Sequence, residues 1–382
     1  MRPASAELPR YTVTPLFTLR LPGDNEQLVP WAINNYGQIV GHTAEVQRAF
    51  LWTPTVSNGT QGTLVDLGDL DGGQVRRVVV TGLNNRGQIV GQTIAIDGTR
   101  SAYLWNPTSP NASTGSMVSI LPRQGSESDD IPWGINDRGQ FAITRSAPSS
   151  VQIWDPDTPN GSTGSLHEIA NLPGEPYRLT WGAAMNNRGQ ITGQRAYKAC
   201  LWSPVTPNAT SGTFVELGDY GDYTQSAGVG INDSGQIIGQ FVGEKVQTFL
   251  WTPTSPNDST GSYRSFGYDR ARAINNSGHV VGSTNTARGF IWPGSGKVVD
   301  LNTRLATGTT GWTIEWATDI NDLGQILAFG TYDPPGPEIY HNAPVLLTPI
   351  GIPEPSAIML LPLMLLVRLL LSRNHRPPLP KA

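Results

Sequence analysis

The chain has 382 residues, of which only 15% are charged, with 43 Gly, 31 Pro and a net charge of −4. So little charge beside so many turn formers suits many short strands and excludes a helical protein, whose polar faces would need Lys and Glu. The residues from Gly351 onward carry four basic groups and one acid, so the remainder stands at −7, which leaves no footprint for nucleic acid and argues against a polyanionic ligand.

Taken in chain order, the first expected element is a strand over "YTVTPLFTL" (11–19), with no partner near it in the sequence. Next comes "INNYGQIVG" at 33–41, which returns as "LNNRGQIVG", "INDRGQFAI", "MNNRGQITG", "INDSGQIIG", "INNSGHVVG" and "INDLGQILA". The first Asn of each copy is Asn34, Asn84, Asn136, Asn186, Asn232, Asn275 or Asn321, at intervals of 50, 52, 50, 46, 43 and 46. A period in the forties points to propeller blades or paired-helix solenoids. Period-two alternation rich in Val, Ile, Thr and Trp rejects the helices.

Each copy is followed by an apolar strand ending in Trp52, Trp105, Trp154, Trp202, Trp251 or Trp292, with Leu347 in the seventh place, and most then by a strand such as "LVDLGDL". Four strands per period and seven periods predict an all-β, seven-bladed β-propeller over residues 1–350. The last period lacks a fourth strand ("APVLLTP", 343–349, is its third), and the strand at 11–19 is expected to complete that blade and remove two exposed edges.

The repeated turn reads as a bulged hairpin: a type I turn closed by a glycine in the left-handed region. Asn bonds backbone two residues on, and Gly37, Gly87, Gly139, Gly189, Gly235, Gly278 and Gly324 accept positive φ. The residue before the glycine varies among Tyr, Arg, Ser and Leu, so the repeat is expected to preserve a turn rather than a binding site. Trp31, Trp133, Trp181 and Trp316, three or five residues before the Asn, are expected to pack between blades. Cys200 replaces an aromatic in "ACLWSP" and reads as a small buried hydrophobe; alone, it excludes a disulfide framework.

The connections after the tryptophans contain Asn-x-Ser/Thr at Asn58, Asn111, Asn160, Asn208 and Asn257. This matches a glycosylation acceptor and equally a polar turn, and the turn is the expectation. In an up-and-down blade these connections share one end of the ring with the repeated turns, and all variable loops share the other. Functional residues concentrate on loops held by a rigid scaffold. The variable end offers Tyr177, Arg178, Tyr220, Tyr223, Tyr268 and Trp312 as the candidate ligand face, among Asp69, Asp71, Arg76, Arg77, Asp129, Asp130, Asp222, Asp269 and Arg270. Aromatics mixed with acids and arginines suit a sugar or peptide surface.

No catalytic residue, metal site or cofactor is expected. His42, His167, His279, His341 and His375 are isolated, "GSGK" at 294–297 lacks the rest of a phosphate loop, and "DLDGG" at 69–73 lacks the later calcium ligands. A propeller glycan hydrolase or lyase using the variable-end acids is the alternative.

The chain ends in Pro353-Glu354-Pro355, then sixteen nearly all apolar residues from Ser356 to Leu371, then Arg373 and Arg376. As a helix, 356–371 would span roughly 24 Å, short of a bilayer core of roughly 30 Å. Its basic flank would put the propeller across the membrane from the cytoplasm. This order of three parts resembles the PEP-CTERM sorting signal, which implies recognition of the tripeptide by an exosortase-like enzyme and a temporary membrane anchor at 351–382. The interrupting Arg368 and the Pro-rich "RPPLPKA" depart from that pattern. Over residues 11–349 the units resemble the HAF family of extracellular repeats, which implies export with no biochemical activity to carry over. "MRPASAELPRYTV" shows no charged region followed by an apolar stretch, so the expectation is a true start upstream. The expected function is an exported, surface-associated, non-enzymatic binding or structural module, with an extracellular polysaccharide or an envelope protein as partner.

Overall fold

The structure is a computed structural model that describes residues 8–351, apart from 24, 46–47, 71–74, 122–129, 147–148, 170–183, 219–223, 244–245 and 268. It begins with β1 (Arg10–Pro15). Blade 1 follows as β2 (Leu28–Ile33), β3 (Ile39–Thr43), β4 (Ala49–Pro54) and β5 (Gly62–Asp66). Blade 2 is β6 (Val75–Leu83), β7 (Ile89–Ala95), β8 (Arg100–Pro107) and β9 (Gly115–Ser119). Blade 3 is β10 (Ile131–Ile135), β11 (Phe141–Ser146), β12 (Ser149–Pro156) and β13 (Gly164–Glu168). Blade 4 is β14 (Ala184–Met185), β15 (Ile191–Arg195), β16 (Lys198–Pro204) and β17 (Gly212–Glu216).

Blade 5 is β18 (Gln225–Ile231), β19 (Ile237–Val242), β20 (Gln247–Pro253) and β21 (Gly261–Ser265). Blade 6 is β22 (Arg270–Ile274), β23 (Val280–Ser283), β24 (Gly289–Trp292) and the two-residue β25 (Val299–Asp300). Blade 7 takes β26 (Trp312–Ile320), β27 (Ile326–Tyr332) and β28 (Tyr340–Ile350), and its fourth strand is β1. The expected architecture of seven four-stranded antiparallel blades is therefore the one observed. The C-terminal helix expected at 356–371 lies outside the described residues.

Closure runs as expected, with β1 antiparallel to β28 from Arg10 opposite Ile350 to Pro15 opposite Val345. Tyr11 anchors it, 1% exposed within the apolar cluster that joins blades 6 and 7. The core is divided, with one apolar cluster at each blade junction. Between blades 1 and 2, for example, Val40, Ala49 and Leu51 meet Val78, Val80, Ile89, Tyr103 and Trp105. The six repeat tryptophans are all buried, and in blades 1–5 the glycine that opens the facing outer strand makes room for the indole: a Cβ on Gly62 would fall 2.6 Å from Trp52 Cε2. Cys200 is buried between blades 3 and 4, and burial pushes its thiol up to about 12, as an inert packing residue requires.

The reading of the inner-strand tryptophans needs correction. A bulge interrupts the inner strand of six blades, at Trp31, Thr81, Gly134, Val229, Arg272 and Thr318. An unpaired residue resets which face its neighbours use, so counting by twos fails across it. In blade 1 the bulged residue is Trp31 itself, and it is 49% exposed rather than packed. In blade 3 the bulge falls on Gly134, so Trp133 stays in register with Ala142 and packs at the junction with blade 4. Trp316 stacks on Phe329 at 5.4 Å. Trp181 lies outside the described residues.

Candidate functional site

At one end of the ring the seven repeated turns converge. Each turn glycine has φ between 77° and 87°, as the bulged hairpin requires. The first Asn is buried in every copy, and its side chain works in two directions. Asn34 Oδ1 accepts from its own turn, from the N–H of Tyr36 and of Gln38. Asn34 Nδ2 donates to Gln38 Oε1 and to the carbonyl of Asn84 in the next blade, 3.0 Å away. The same step to the next carbonyl is taken by Asn84, Asn186, Asn232, Asn275 and Asn321, the last returning to Asn34. Asn136 donates instead to Asn208 Oδ1.

A second ring is formed by the residue after that Asn, in the order Asn35, Asn85, Asp137, Asn187, Asp233, Asn276, Asp322. Each main-chain N–H donates to the side-chain Oδ1 of the next member at 2.8–2.9 Å, and Asp322 N–H closes onto Asn35. No two carboxylates are neighbours in this order. The Oδ2 atoms of Asp137, Asp233 and Asp322 each accept from the amides of two flanking asparagines. A cavity of about 300 Å3 opens inside the ring, lined by these residues, the apolar residues before them and Asp319.

The polar connections after the tryptophans stitch these turns together. Asn58, Asn111, Asn160, Asn208 and Asn257 all sit in the left-handed region, φ 59–65°. Asn58 N–H donates to Tyr36 O and its Nδ2 to Asn35 O, within blade 1. From blade 7, Asn321 Nδ2 donates to Asn58 Oδ1 and Gln325 Nε2 to Asn58 O, both at 3.1 Å. The turn reading therefore fits, since this amide is already a structural donor. A Cβ on Gly37 would also lie 2.9 Å from Asn58 Cα, so close approach fixes glycine there as firmly as φ does.

Turn chemistry alone gives no role to the glutamine after each glycine, although its recurrence in six of seven copies is a signal in the sequence. Gln38, Gln88, Gln140, Gln190 and Gln325 are 0–2% exposed, and each donates to an Asn carbonyl in the next blade.

At the variable end, five of the six candidate ligand residues, Tyr177, Arg178, Tyr220, Tyr223 and Tyr268, lie outside the described residues, as do Asp71, Asp129 and Asp222. Trp312 is described and is half-buried in an aromatic group. It stacks on Tyr332 at 4.7 Å across the β26–β27 pair, Tyr332 lies opposite Tyr340 across β27–β28, and Phe17 touches all three. Neither the pairing of Trp312 with Tyr332 nor the return of Phe17 from the chain start could be found by spacing within one repeat. Asp130 is buried beside Arg145, 3.3 Å away, so it belongs to the interior rather than to an open face. Arg76, Arg77 and Arg270 are exposed and Asp69 is half-buried. Burial raises the Asp269 carboxyl, against a hydrogen bond from Asn285 N–H that lowers it. Among the described residues, no three of His, Cys, Asp or Glu form a metal-ligating group, and no helix is long and apolar enough to cross a membrane.

No family model and no curated protein matches this chain. Among solved structures it is similar to YCF48 from Cyanidioschyzon merolae, with a TM-score of 0.54 and 10% identity over 90% of this chain and 100% of that one. It is also similar to a structure described as YCF48 bound to D1 peptide, with a TM-score of 0.51, 10% identity and the same coverage. At that identity the likeness establishes the fold: the chain is a seven-bladed β-propeller, a fold suited to binding or holding other molecules.

Proposed function

We propose that this propeller is an exported, surface-associated module without catalytic activity, which holds an extracellular polysaccharide on its variable end. One observation carries the reading. The repeated turns direct their polar groups at each other, and β28, which leads to the tail, ends at that same end with Ile350. The variable loops thus lie at the opposite end from the one where β28 finishes, as a surface anchor through the C-terminal residues would require. Trp312, Tyr332, Tyr340 and Phe17 supply aromatic surface of the kind that packs on sugar rings. In this reading Pro353, Glu354 and Pro355 are recognised by an exosortase-like enzyme, residues 356–371 are a transient membrane anchor, and Arg373 and Arg376 stay on the cytoplasmic side.

A glycan array probed with the full-length protein tests the binding claim. Retention of a glycan by the wild type, weakened at least tenfold in Trp312→Ala, is expected, and retention unchanged by that substitution overturns it. Turnover of an arrayed glycan would replace the module with a hydrolase or lyase. Cell fractionation tests the tail, since intact protein confined to the cytosol is incompatible with it. An envelope-protein platform is the second reading, favoured by the fold neighbour described with a bound peptide; pull-down of a defined envelope protein in place of a glycan would select it.

A further inference from the structure

The ring of stitched turns is incomplete over one sector. In blades 1–5 the third and fourth strands are joined by a long turn carrying the left-handed Asn. Leu250 pairs with Arg264 across the blade 5 turn, 14 positions on, whereas Ile291 pairs with Val299 in blade 6, only 8 positions on. The blade 6 turn is thus six residues shorter, and its sequence "PGSGK" holds no Asn. Blade 7 has no such turn, because its third and fourth strands come from opposite ends of the chain.

At the junction of blades 5 and 6 the groups that the missing turn would engage remain, and Gln236 Nε2 is left over among them. Gln236 occupies the position of the five buried glutamines but is half-buried. Its Oε1 accepts from Asn232 Nδ2 as elsewhere, and its Nε2 makes no hydrogen bond within the described residues. Asn232 Nδ2 donates to Gln236 and to Asn275 O, without the turn Asn oxygen that Asn34 and Asn186 also reach. At the next junction, His279 replaces the glutamine and is half-buried. On blade 7 the repeated turn carries Leu323, 51% exposed, and β28 ends on Ile350, 43% exposed.

The geometry points to a docking notch for a protein that presents an Asn-centred polar turn, inserted over blade 6 as the chain's own turns are inserted elsewhere. The internal copies define the occupant. An Asn in the left-handed conformation would offer its carbonyl to Gln236 Nε2 and its side-chain oxygen to Asn232 Nδ2, as Asn257 does for Gln190 and Asn186. The notch lies on the repeated-turn end, so the inference is independent of what the variable end binds.

The probe is the peptide SPVTPNATSGTF, which copies residues 203–214 around Asn208, immobilised and titrated with the full-length protein. Saturable binding with Kd below about 1 mM is expected, weakened roughly tenfold when the peptide carries Asn208→Ala or the protein carries Gln236→Ala. Gln236→Ala gives up only the hydrogen bond from Asn232 Nδ2, so it should stay folded with Tm lowered by no more than a few degrees. Replacing residues 293–297 with a copy of 203–213 should fill the notch, raise Tm and abolish peptide binding. Absence of saturable binding up to about 5 mM, or equal binding by wild type and Gln236→Ala, overturns the inference.

Discussion

Asp319 Oδ2 accepts a hydrogen bond from the main-chain N–H of Ile33 at 2.8 Å, across the junction where the last blade meets the first. The corresponding position in the other blades is Ala32, Gly82, Gly134, Ala184, Gly230 or Ala273. The reason for small residues is visible at Gly134, where a Cβ would meet Met185 N of the next blade at 2.7 Å. At the closing junction a carboxyl occupies that approach and bonds the nitrogen instead. Burial raises its pKa to about 7, against the lowering effect of the N–H groups of Ile33 and Ile320.

That shift gives a pH dependence with a definite sign. The unfolded chain ionises Asp319 from about pH 4, while the folded chain holds the proton until about pH 7. The contribution of Asp319 to stability is therefore complete below pH 4 and is lost as pH rises through 7. Asp319→Asn should flatten the stability profile between pH 4 and 7 relative to the wild type. Thermal unfolding at several pH values would show it, and parallel profiles would count against a raised carboxyl.

Removal of residues 1–20 should lower Tm by more than about 10 °C, since it takes away β1 and the buried Tyr11 and leaves β28 unpaired on one side. Light scattering should also rise, because an exposed edge invites pairing between molecules. Unchanged melting would mean that the ring does not depend on this strand for closure.

The two asparagines of one turn should differ in cost. Asn186→Ala removes a buried side chain that accepts from two main-chain N–H groups and donates to three oxygens, and it should cost about 2–4 kcal/mol in denaturant unfolding. Asn187→Asp keeps the acceptor for Asp137 N–H but sets three carboxylates in a row, the introduced one standing between Asp137 and Asp233. Its cost should shrink as salt is raised, whereas that of Asn186→Ala should not.

Glycine substitutions separate strain from crowding. Gly324 and Gly235 share φ near 80°, so an alanine at either incurs the left-handed penalty of about 1 kcal/mol. At Gly324 the nearest atom to a new Cβ is Pro349 Cγ at 3.8 Å, while at Gly235 it is Asn257 Cα at 3.0 Å. Gly235→Ala should be clearly the more destabilising in urea unfolding, and equal midpoints would mean that the stitching turn yields.

The fold is legible in the sequence because a propeller repeats its instructions, and seven copies of Asn-x-x-Gly, six of them with a trailing Trp, leave little choice of architecture. What escapes is what depends on neighbours in space. The alternation of Asn and Asp looks like drift within one repeat, and only the ring order shows carboxylates kept apart by amides. Trp31 defeats the count by twos because a bulge carries no signal in alternating hydrophobicity. The group around Trp312 joins residues more than 290 positions apart, Phe17 among them, which no periodicity within a blade can reach.

The pairing of Arg10 with Ile350 also has a mechanical meaning. A pull on the chain beyond Ile350, resisted by something held at the variable end, runs along β28, which has β27 on one side and β1 on the other. The hydrogen bonds of both ladders lie across that direction and must give way together rather than one by one. Such a pull thus falls on the strand whose two neighbours are drawn from opposite ends of the sequence, and the load is spread through the join that completes the circle.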